Sequence, residues 1–147
     1  MARILVLLIL AAVAAPVARA QQPPLPLVEL GAGLYRIHAE LADRDESRTI
    51  GLMQRTSLAP SSGMLFLFDA SAEHCMWMKN TLLPLSVAFV DEHGTIVNIE
   101  DMQPQTEDSH CAARPARFAL EMAQGWFARR GIRAGTRLRG VEKLLPR

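Results

Sequence analysis

The chain has 147 residues, of which 50% are hydrophobic and 21% charged, with a formal net charge of +1. That length suits one domain with its own core. A charge so close to zero excludes a global attraction to nucleic acid or anionic membrane.

Met1-Ala2-Arg3, the apolar run Ile4 to Ala15 and the small residues of Ala18-Arg19-Ala20 read as a secretory signal peptide over residues 1–20. The run is too short to span a bilayer, and no later stretch is long and apolar enough to be a transmembrane segment. The expectation is a periplasmic or secreted protein after cleavage near Ala20. Losing Arg3 and Arg19 would take the formal charge to −1. Residues 21–33 hold Pro23, Pro24 and Pro26 and predict an extended lead-in, with Gly31 and Gly33 marking a turn.

A single domain is expected over residues 34–141, followed by a tail at 142–147. From Tyr35 to Leu41 apolar and polar residues alternate, which predicts a half-buried strand. Asp43 to Leu58 changes period, and Thr49, Ile50 and Met53 fall on one helical face behind an aspartate cap. Gly63 to Phe68 reads as a buried strand, and His74 to Lys79 as another. Leu82 to Val90, opened by Pro84, leads through Asp91-Glu92-His93-Gly94 into a hairpin partner from Thr95 to Met102. Gln103 to Pro115 is polar loop. Arg117 to Met122 is expected as a strand, Gly125 to Gly131 as one helical turn closed by glycine, and Thr136 to Val141 as the last strand. The fold class that follows is mainly β (α+β): a compact, antiparallel, barrel-like domain of about seven short strands with one or two short helices. Met64, Phe66, Phe68, Trp77, Met78, Phe89 and Leu120 are the expected core.

The only cysteines are Cys75 and Cys111. In an exported chain they favour one disulfide, with a metal or redox pair of thiols as the competing reading. Charge is lopsided: residues 21–110 carry 13 acidic and 5 basic side chains, and residues 111–147 carry 2 and 9. Either the two ends attract each other across one domain, or Arg129, Arg130, Arg133, Arg137 and Arg139 build a basic docking face.

Four ordered words carry a family resemblance: Arg48-Thr49-Ile50-Gly51-Leu52-Met53-Gln54-Arg55; Gly63-Met64-Leu65-Phe66-Leu67-Phe68; Trp77-Met78-Lys79-Asn80-Thr81 with Pro84-Leu85; and Ala119-Leu120-Glu121-Met122 with Gly125. The chain resembles the domain of unknown function 192 family over about residues 34 to 141. The resemblance implies a small β-rich domain and brings no established reaction. The family usually has an acidic residue where this chain has Ser86, and often an aspartate where it has Thr136.

Lys79, Asn80 and Thr81 set an ammonium, an amide and a hydroxyl side by side, which suits a small polar or anionic ligand. With Arg48 and Glu121 they form the candidate ligand-binding set. The competing reading makes Asn80 a turn residue, Thr81 a backbone partner and Lys79 the neutraliser of Glu121 or Asp69. His74, Met76 and Met78 would share one face of a strand and form a soft set for Cu(I), against a plain core role for the methionines. No recognised catalytic motif is present, so the leading expectation is a non-catalytic envelope binding or accessory module without a cofactor. A lysine-dependent enzyme using Lys79 on an envelope metabolite or glycan is one alternative, and a copper carrier the other.

Overall fold

The computed structural model describes residues 23–146. The expected signal peptide and its cleavage near Ala20 lie outside the described residues. Among the described residues nine strands occur: β1 (Leu27–Ala32), β2 (Tyr35–Ala42), β3 (Ser62–Ala72), β4 (Cys75–Met76), β5 (Leu85–Val90), β6 (Ile96–Met102), β7 (His110–Cys111), β8 (Ala116–Ala123) and β9 (Leu138–Arg139). One short helix, α1 (Asp45–Ile50), follows β2.

Seven strands form one sheet in the order β6-β5-β8-β3-β2-β1-β9, and β4 pairs with β7 separately. All pairs are antiparallel except β2 with β3. The sheet curls into a half-barrel whose two edges meet at one end, where Thr95 bridges Arg137. This is the mainly β class that the alternating patterns predict.

Period-two alternation sorts the core into two clusters, one per face. Inside the curl lie Leu30, Ile37, Leu65, Ala88, Phe118, Leu120, Met122, Trp126 and Phe127. Outside it lie Leu52, Met64, Phe66, Met78, Leu85, Val87, Phe89 and Ala119. β5 is buried at every position, because both its faces are covered.

Several local expectations need correction. Residues 27–32, read as the end of a lead-in, form β1; Leu30 and Ala32 alternate inward and pair across to Ile37 and Tyr35. The helix expected over Asp43 to Leu58 stops at Ile50, because Gly51 turns out of it at φ 50°. Its start is held by Ser47 rather than an aspartate: the Ser47 hydroxyl donates to the Arg44 carbonyl at 2.9 Å and accepts the Arg44 N–H at 3.1 Å. The strand expected from His74 to Lys79 is only Cys75–Met76, so Trp77 leaves the core and is 46% exposed. Phe68 is half-buried beside the outer cluster, and the other five expected core residues are buried. The helical turn closed by glycine is a 3-10 turn, Ala128–Arg130, ended by Gly131 at φ 65°. The last strand shrinks to Leu138–Arg139, and Val141–Leu144 makes a further 3-10 turn. Leu144 and Leu145, placed in a tail by sequence, pack on the inner cluster. Among the described residues no helix is long and apolar enough to cross a membrane.

Candidate functional site

The outer face of the sheet is roofed by three loop segments. Leu52, just after α1, and Met78, just after β4, are both buried in the outer cluster and peg two of them down. Backbone hydrogen bonds join the segments. The Gln54 N–H donates to the Asn80 carbonyl at 2.9 Å, the Gln105 N–H to the Thr81 carbonyl at 3.0 Å, and the Met78 N–H to the Thr106 carbonyl at 3.0 Å.

Gln54, Asn80 and Gln105 all adopt left-handed backbone conformations, with φ of 62°, 54° and 57°. Among the described residues Ser61 is the one other non-glycine residue that does so. Asparagine tolerates this region through its short amide, but a glutamine there costs on the order of 1–2 kcal/mol that a glycine would avoid. Three exposed amide side chains therefore ring one junction at a conformational cost, and strained backbone of this kind clusters at functional sites.

Glu121 lies in β8 beneath this roof. Its strand neighbours are Met64 and Val87. Leu120 and Met122 on either side belong to the inner cluster, so Glu121 projects to the outer face beside Ala119. It is 4% exposed. Burial alone pushes its carboxyl up to about 8. At pH 7 the group is a neutral acid, which can donate one hydrogen bond and accept others. No hydrogen bond or ion pair from the described residues reaches it, and neither oxygen is among the enclosed unpartnered atoms, which are Arg117 Nε, Trp126 Nε1 and Arg130 Nε. The carboxyl thus keeps a narrow opening to solvent. Close backbone approach protects this strand pair, since a Cβ on Gly63 would collide with the Glu121 carbonyl and the Met122 sulfur.

One strand beyond Met64 stands a second acid, Glu40. It is paired: Arg55 donates to both its oxygens, at 2.9 and 2.7 Å. Of the two carboxyl groups flanking Met64, one is neutralised by a guanidinium and the other has no partner.

The expected site residues separate into two groups. Lys79, Asn80 and Thr81 do occupy the roof over the Glu121 face. Lys79 is half exposed, 3.8 Å from Glu107, and its ammonium lies 5.2 Å from the centroid of the Trp77 ring. Thr81 is buried, and its hydroxyl donates to the Lys79 carbonyl at 3.2 Å. Lys79 pairs with neither Glu121 nor Asp69. Arg48 stands apart. Its guanidinium donates to the carbonyls of Asp43 at 3.0 Å and Leu67 at 2.7 Å, and it pairs with Asp45 and Asp69. It braces α1 against β3, and both its terminal nitrogens are committed to that bracing.

The copper set is not assembled as its spacing suggested, because the strand ends at Met76. Met78 is buried in the outer cluster. His74 stacks on Phe68 with ring centroids 3.8 Å apart, and its Nε2 lies 2.8 Å from the Ala70 carbonyl. Among the described residues no cluster of His, Cys, Asp and Glu suits a metal ion. Cys75 and Cys111 are cross-strand partners in β4 and β7 and are joined by a disulfide. The basic C-terminal residues are mostly spent on the fold: Arg129, Arg130 and Arg139 donate to the carbonyls of Gln124, Trp126 and Gly33. Arg130 also stacks over Trp126 and Tyr35.

Sequence reasoning missed Gln54 and Gln105. Gln54 belongs to a quoted family word, but its left-handed turn carries no glycine or asparagine signal. Gln105 sits in a polar loop without periodicity.

The model of the family DUF192, described as "Uncharacterized ACR", matches residues 28–140. Among curated proteins none matches. Two solved structures are similar. A protein of Sinorhizobium meliloti 1021, described as a proposed transcription regulator, is 33% identical with a TM-score of 0.79, over 83% of this chain and 99% of its own. A protein of unknown function from Novosphingobium aromaticivorans DSM 12444 is 32% identical with a TM-score of 0.75, over 88% of this chain and 93% of its own. The chain belongs to the DUF192 family.

Proposed function

We propose that this family member is an exported, non-catalytic binding module whose ligand is a neutral, hydroxyl- and amide-bearing molecule of the envelope-glycan class, held at the roof over Glu121. The single observation that carries this reading is the unpartnered Glu121 carboxyl, raised to about 8 on the sheet face that the segments carrying Gln54, Asn80 and Gln105 cover. A neutral acid with a free donor and free acceptors matches hydroxyl and amide groups. To an anion it offers one hydrogen bond and no countercharge. The anionic half of the sequence expectation loses its support with Arg48 committed to α1 and with Glu107 beside Lys79. Trp77, 46% exposed next to the roof, adds an aromatic surface of the sort that polar ligands with apolar faces use.

A catalytic lysine is less well supported. Catalytic lysines are activated by burial, and Lys79 is solvated and faces a carboxylate. The description of the Sinorhizobium protein as a regulator of transcription is not extended to this chain, because three of its five clustered arginines are tied to backbone carbonyls. Export rests on the leader and on the disulfide. Thermal-shift screening of neutral glycan fragments against their phosphorylated counterparts tests the reading. Stabilisation by the neutral set that vanishes in Asn80→Gly supports it, and stabilisation by the phosphorylated set alone overturns it.

A further inference from the structure

A cavity of about 520 Å³ opens on the other side of the sheet, at the end of the barrel interior. Its wall is built by β5, β6 and the segment 125–134, and its apolar part comes from Ile99, Phe127 and Ile132. Ser86 and Asp101 are direct partners across β5 and β6. The Ser86 hydroxyl is buried and donates to the Asp101 carboxylate at 2.5 Å while accepting the Gly125 N–H at 2.9 Å. Both of its roles are fixed, so it serves to aim Asp101. A carboxylate is thereby present beside position 86, supplied from the neighbouring strand. Arg133 also lines the cavity, and its backbone N–H donates to the Thr136 hydroxyl at 3.2 Å.

Among the described residues Asp101 has no cationic partner and Arg133 has no anionic one. The two opposite charges line one cavity yet do not pair with each other. A ligand that carries both complementary charges and an apolar group would satisfy each wall at once. We infer that this cavity binds a free apolar α-amino acid, with its ammonium on Asp101, its carboxylate on Arg133 and its side chain against Ile99, Phe127 and Ile132. The site lies on the opposite face of the sheet from the Glu121 roof and does not depend on it.

The test is an amide-resonance NMR titration of the intact protein with leucine, methionine and phenylalanine, and with two analogues of leucine. Leucinamide lacks the carboxylate and isocaproate lacks the ammonium. The expected result is a response centred on Ser86, Gly125 and Arg133, with each analogue weaker by at least about tenfold. Asp101→Asn should cause the same loss for leucine but not for isocaproate, and Arg133→Gln the same loss for leucine but not for leucinamide. Both residues are exposed, so folding should survive. Silence with all three amino acids overturns the inference, as does equal binding by analogues or by both variants.

Discussion

Gln54 and Asn80 meet backbone to backbone: the Gln54 N–H donates to the Asn80 carbonyl at 2.9 Å, and both residues hold left-handed conformations. Two turns that each carry a conformational cost are thus locked together, and both side-chain amides are left exposed over the face that buries Glu121.

Glycine at these positions should separate stability from binding. Asn80→Gly and Gln54→Gly remove backbone strain, so each should leave the melting temperature unchanged or raise it, by up to about 1 kcal/mol in stability. Binding of neutral glycan fragments should fall in the same variants. A clear loss of stability would make the amides structural.

Glu121 gives the protein a pH dependence of definite sign. The folded carboxyl is raised from 4.5 to about 8. Its contribution is fully favourable below the unfolded value and is lost as pH rises through the folded one, because the unfolded chain releases a proton that the fold retains. Wild type should therefore lose stability relative to Glu121→Gln between those two pH values. Denaturant melts of both proteins across the range measure the difference, and parallel curves would contradict it.

Arg48 is expected to matter for the fold and not for the ligand. Arg48→Met removes donors from the carbonyls of Asp43 and Leu67 and from two aspartates. Chemical denaturation should show a loss on the order of 2–3 kcal/mol. The affinity of the folded fraction should stay as in wild type.

Lys79→Met should change stability by less than about 1 kcal/mol, since its pair with Glu107 is 3.8 Å long and exposed. A larger loss would reveal a structural role that this solvated pair does not explain.

Replacing both cysteines by serine opens a bridge across a sequence separation of 36. The chain-entropy model gives a loss of about 3–4 kcal/mol. Thermal melts of the oxidised protein and the double variant read it directly.

Much of the fold was legible because period-two alternation marks strands buried on one face. Tyr35 to Leu41 shows it plainly, Arg117 to Met122 alternates although both its faces are covered, and β5 is apolar after Pro84 but for Ser86. Leu27–Ala32 was obscured by the prolines just before it. Trp77 was misplaced because an apolar word read as a strand becomes a loop in which Met78, and not Trp77, turns into the core. The site was legible only in part. Asn80 and Thr81 carry turn chemistry that sequence can recognise, whereas the left-handed Gln54 and Gln105 are imposed by loops that must reach one another. Arg48 misled for a related reason, since a guanidinium in a family word looks the same whether it holds a ligand or a carbonyl. The unpartnered state of Glu121 depends on three strands and a roof, and no local pattern encodes it.

The most direct measurement of the central claim is an amide-resonance NMR titration with neutral glycan fragments, including di-N-acetylchitobiose, with the Glu121 carboxyl followed by carbon detection. The account predicts shifts gathered at Gln54, Trp77, Asn80 and Gln105, together with a Glu121 carboxyl that titrates near 8 and responds to the fragment. A spectrum untouched by every neutral fragment, or a Glu121 carboxyl titrating near its ordinary 4.5, would contradict it.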